Sequence, residues 1–103
     1  MENSRESIRS IVHELMNEVI EIGFHELVNR PQESTRLNDV IKAAGENLGE
    51  HLRRIDDHTL HPNSKELMQH WQKISEDAQR DSLNLLSEIQ QIRQTYNPRL
   101  KRV

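Results

Sequence analysis

Apolar residues recur along the chain in steps of three and four. In the first segment they fall at Ile8, Ile11, Val12, Leu15, Val19, Ile22 and Leu27. An α-helix turns by about 100° per residue, so this spacing gathers them on one face. The second segment carries the cleanest stripe: Leu37, Val40, Ile41, Ala44, Leu48, Leu52 and Ile55. The third runs Leu67, Trp71, Ile74, Ala78, then Leu85, Ile89, Ile92 and Tyr96, with a polar interval at Asp81 and Ser82. No segment alternates with period two, and no Asn-Gly or Asp-Gly pair marks a hairpin.

Pro31, Pro62 and Pro98 divide these segments. The pattern predicts helices over about 4–29, 32–57 and 64–97, then a basic tail, 98–103. Asn3 with Glu6, and Asn63 with Glu66, have the spacing of a capping box. Pro31 suits a first helical turn, where a backbone N–H has no partner to lose. Gly23 costs its helix roughly 1 kcal/mol relative to alanine and predicts a kink or a close contact. The expected fold is all-α, one domain, a three-helix up-down antiparallel bundle with a long C-terminal helix. A break near Ser82, giving four shorter helices, is the alternative. Unbroken, the third helix would be ~30 residues and about 45 Å long. Its C-terminal half is expected to project and pair with another subunit.

Composition adds a supply argument. Of 103 residues, 33% are hydrophobic and only 3% aromatic, so large core-filling groups are few. Packing against a second copy would relieve that shortage, and a homodimer is expected. The charge is 14 basic against 17 acidic. Nucleic-acid binding, which needs dense Lys and Arg, is therefore not expected; Arg53, Arg54 and the tail are its weak carriers. The tail's charge also suits the negative end of a helix dipole. There is no cysteine, which excludes disulfides, thiolate nucleophiles and Cys-bearing zinc sites. The opening MENSRES shows no basic leader ahead of an apolar run, and no apolar run approaches ~18 residues. A cytoplasmic protein without a membrane span is expected.

The densest chemistry is RIDDHTLHP, Arg54 to Pro62. Asp57, His58 and His61, with His51 one heptad earlier, are a set that could hold zinc or nickel. The same residue types also make a solvated turn between two helices, and that reading is preferred. The other histidines stand singly, and neither HELMNE nor HELVNR reaches the second histidine of a zinc-protease helix. No glycine-flanked serine, phosphate loop or Glu-x-x-His pair is present. Glu18, Glu21 and Glu26 fall away from the apolar stripe and read as a solvated face. No catalytic residues and no cofactor are expected.

A sharper feature is AAGENLG, Ala43 to Gly49. It sets Ala44, Gly45, Leu48 and Gly49 on neighbouring helical positions. Two helical glycines cost roughly 2 kcal/mol together, which suggests that something approaches closely. Within one chain that would be Trp71 or Leu67; otherwise it is a partner helix. Two short stretches, IVHEL (11–15) and LSEI (86–89), resemble class IIa bacteriocin immunity proteins, which are helical bundles of this size. That likeness covers nine residues and assigns no site residue, and the chain lacks the family's basic, aromatic-rich character. The expected function is a small, non-catalytic helical module for protein–protein interaction or regulation, with a metal-responsive protein as the alternative.

Overall fold

In the computed structural model, residues 5–57 and 64–95 are described, and all of these but Arg30, Asp57 and Ser64 are helical. Helix α1 spans Arg5–Asn29, α2 spans Ser34–Asp56 and α3 spans Lys65–Thr95; a 3-10 turn, Pro31–Glu33, joins the first two. The chain is all-α, with no strand among the described residues. Each helix packs against the other two.

Local chemistry sets the boundaries. The Arg30 N–H donates to the Glu26 carbonyl at 2.7 Å and closes α1. Pro31 then opens a tight turn rather than the helix itself, sealed by the Glu33 N–H on the Arg30 carbonyl at 2.9 Å. Helix α2 consequently begins at Ser34. At the start of α3, Ser64 Oγ accepts the Leu67 N–H at 3.0 Å, so the cap is Ser64. Asn63 and Asn3, the residues expected to cap, lie outside the described residues.

Helix α3 runs unbroken through Asp81 and Ser82, which makes three α-helices among the described residues and removes the break that would have made four. The polar interval costs little there. Buried Ser82 donates its hydroxyl to the Gln79 carbonyl at 3.0 Å, and Asp81 turns towards α2. Nor does the C-terminal half of α3 project. Ile89 and Ile92 are buried and Arg93 reaches α1, so the apolar stripe is used within the chain.

The core is a single line of side chains along a rod of 59 × 21 × 18 Å. Helix α1 gives Ile8, Val12, Met16 and Val19; α2 gives Leu37, Val40, Ala44 and Ile55. Helix α3 gives Leu67, Ile74, Ala78, Ile89 and Ile92. Ile11, Leu15, Ile22 and Leu27 only flank it, and Met16 is fully buried in it. Gly23 marks a close approach: a Cβ there would lie 2.6 Å from Ile41 Cγ1. No described helix is long and apolar enough to cross a membrane.

Candidate functional site

Where α2 meets α3, polar pairs line the edge of the contact. Helix α2 supplies the donors Arg54, His51 and Arg36, and α3 supplies the acids Asp77, Asp81 and Glu88. Arg54 Nη1 donates to Asp77 Oδ2 at 3.1 Å, and His51 Nε2 lies 2.8 Å from Asp81 Oδ2. Arg36 stands 3.7 Å from Glu88. Asp77, Asp81, Asn84 and Glu88 follow one another on α3 in steps of four, three and four, a helical stripe beside the apolar one.

The centre of this seam is well satisfied. His51 is only 4% exposed. Its Nδ1 lies 3.4 Å from Arg54 Nη1, a group that can only donate. Nδ1 therefore accepts, and Nε2 carries the proton given to Asp81. Burial alone would push the Asp77 carboxyl up. The Arg54 hydrogen bond and the charges of Lys73, Arg54 and Arg80 outweigh that and hold it below its ordinary value. Two α3 side chains close the end of α2. His70 Nε2 donates to the Arg54 carbonyl at 3.0 Å, and Trp71 Nε1 donates to the Ile55 carbonyl at 3.4 Å. Both carbonyls belong to the last turn, where the helix supplies them no N–H partner.

The other two contacts carry isolated ion pairs. Asp56 of α2 accepts from Arg5 Nε at 2.7 Å and from Arg9 at 3.2 Å. The Arg5 hydrogen bond, with the charges of Arg5 and Arg9 behind it, lowers the Asp56 carboxyl. Glu26 of α1 is buried and accepts from Arg93 Nε of α3 at 2.7 Å. Its second oxygen faces Arg30 Nε at 3.3 Å without hydrogen-bond alignment. A solvated place for Glu26, expected from its position off the stripe, is thus corrected: two arginines let it enter the core edge.

The expected partner patch divides. Ala44 is buried in the core and Leu48 packs half-buried against it. Gly45 and Gly49 are exposed, and a Cβ added at either would meet nothing within 4 Å. Neither Trp71 nor Leu67 packs there, since Trp71 is engaged at the end of α2. The expected metal set is not brought together among the described residues. His51 turns to Asp81 and Arg54, whereas exposed Asp57 pairs with Arg53 at 3.1 Å. His58 and His61 lie outside the described residues. No group of three or more His, Asp or Glu placed to hold a metal occurs among the described residues.

Two further surface features complete the site. A cleft of about 540 Å³ opens between α2 and α3, lined by Arg36, Asp39, Val40, Ala43, Asn84, Leu85 and Glu88. Phe24 and Val28, four apart on α1, are 53% and 81% exposed, and Leu83 on α3 is 65% exposed. Sequence reasoning passed over the cleft because Val40 and Leu85 read as core and their polar neighbours as surface. The acidic stripe on α3 was the available signal. No known protein family matches the chain, and no characterised protein or solved structure is detectably similar to it, so the nine-residue likeness to immunity proteins gains no extension.

Proposed function

We propose that this chain is a small, non-catalytic helical module that acts in the cytoplasm by binding another protein, and that it assembles as a homodimer. Its helices are taken to run up, down and up. That order is supported by Arg9 meeting Asp56 and Gly23 meeting Ile41, and by Glu26 meeting Arg93. The observation that carries the functional reading is the open pair Gly45 and Gly49. Inside a helix they cost about 2 kcal/mol against alanine, and nothing among the described residues comes close enough to require them. A helix backbone from a second copy would account for them, because the missing side chains let two backbones approach closely. The exposed side chains of Phe24, Val28 and Leu83 add apolar surface for partners. Nucleic acid and cofactors have no part in this reading.

Sedimentation equilibrium at micromolar concentration is the test. The expected result is a dimer whose melting temperature rises with protein concentration. The Gly45→Leu/Gly49→Leu variant should keep its helix content and sediment as a monomer. A wild-type chain that is monomeric, with a melt independent of concentration, would overturn the homodimer. A native-extract pull-down with the same variant tests the partner. A stoichiometric protein captured by the wild type alone is expected, and equal capture by both would remove the glycine face from the reading.

A further inference from the structure

The α2–α3 seam lacks a rung. At Arg54–Asp77 and His51–Asp81 each acid of α3 meets a hydrogen-bond donor of α2 at 3.1 Å or less. Further along, α2 turns Val40 and Ala43 towards α3 in place of a long cation, and the cleft opens there. The acids around it are left under-paired. Among the described residues Glu88 pairs only with Arg36, at 3.7 Å, beyond hydrogen-bond distance. Arg36 is itself drawn off towards Glu33, at 3.9 Å. Exposed Asp39 makes no ion pair or hydrogen bond among the described residues, and Asn84 on the opposite wall makes none either.

We infer that this cleft receives an arginine or lysine side chain of the bound protein. The inference rests on the reading that the chain binds a protein, and it names the chemistry of the contact. The apolar floor of Val40, Ala43 and Leu85 suits the aliphatic stem of such a side chain, which prefers apolar cover while its head stays polar. The head lies between Asp39 and Glu88, with the Asn84 side-chain oxygen as a further acceptor. A guanidinium fits best, because its planar fork can serve two acceptors at once. Two acids against one loosely held arginine make the cleft select for cations. Arg36 competes with the incoming group for Glu88. An anionic group would meet Asp39 unshielded.

The experiment is an amide-resolved NMR titration of the full, isotope-labelled chain with butylguanidinium. N-butylurea and hexanoate, of the same length but neutral and anionic, serve as controls. Butylguanidinium should shift the amides of Val40, Ala43, Asn84 and Leu85 saturably, and the two controls should not. Asp39→Asn and Glu88→Gln should each weaken binding about threefold to fivefold, the range of a part-exposed ion pair. Arg36→Ala should strengthen it by a similar factor. Ala43→Leu should abolish it by filling the floor while far-UV circular dichroism stays unchanged. Equal shifts from the neutral or anionic probe, an unchanged affinity in Asp39→Asn, or no saturable shift at the four amides would overturn the proposal. A silent cleft beside an intact dimer sinks this inference alone. A selective cleft on a chain that stays monomeric supports it and sinks the dimer instead.

Discussion

At the scale of single residues, the three glycines separate two reasons for tolerating glycine in a helix. Gly23 is required, because Ile41 Cγ1 occupies the space a Cβ would need. Ile41 is β-branched and half-buried, so it cannot swing away freely. Gly23→Ala should lose about 1–2 kcal/mol despite alanine's higher helix propensity, since overpacking outweighs it. Gly45→Ala and Gly49→Ala have room, and each should add up to about 1 kcal/mol to the monomer. Urea unfolding of the three variants at one low protein concentration measures this. A common sign for all three would refute the distinction. Glu26 makes the complementary point about charge. Glu26→Ala would strand Arg93 and Arg30, and should cost about 2–3 kcal/mol, with much of the Arg93→Ala cost shared in a double-mutant cycle. Additive costs would show that the pair contributes no coupling.

At the scale of elements, the contact of α2 with α3 combines an apolar stripe with a row of polar pairs beside it. The sequence showed the apolar part well, because the stripes of Leu37 to Ile55 and Leu67 to Ile92 carry the helical period. It showed the polar part poorly. Whether Asp77 and Asp81 face water or Arg54 and His51 depends on how far α3 is rotated and slid along α2, and periodicity within one helix does not fix the register between two. The same gap hid Met16, which lies one position from Leu15 and takes the inner place, and it hid the cleft at Ala43. Asp77 turns this into a pH dependence. Its carboxyl is held low in the folded chain, so its stabilisation is fully present above the ordinary carboxylate range. That stabilisation is lost as pH falls through the lowered folded value, below about pH 4. Asp77→Asn should cost about 2 kcal/mol at pH 7, and its deficit against the wild type should shrink as both are acidified. Urea midpoints at pH 7 and pH 3 check this. A deficit that stays constant across that range would mean that the charge of Asp77 is not what joins the helices.

At the scale of the whole molecule, shape constrains how two copies can meet. A rod of 59 × 21 × 18 Å has little interior per unit of surface, and its Cα radius of gyration of 16.9 Å exceeds the ~13 Å of a globular chain of this length. Such a body gains most by burying its long side, since an end offers only the 21 × 18 Å cross-section. That is small beside the ~800 Å² per partner of a standard interface. Gly45 and Gly49 stand in the middle of α2, on the long side. A dimer built on them must be side by side, with its mass doubled and its maximum dimension near that of one rod. Small-angle X-ray scattering on the sedimenting dimer distinguishes the two arrangements. Side-by-side packing thickens the cross-section and leaves the longest distance almost unchanged, whereas end-to-end packing nearly doubles that distance at constant cross-section. The second outcome would place the contact at the rod ends, near Val28 or Met68, and would leave the open glycines of α2 without a role in assembly.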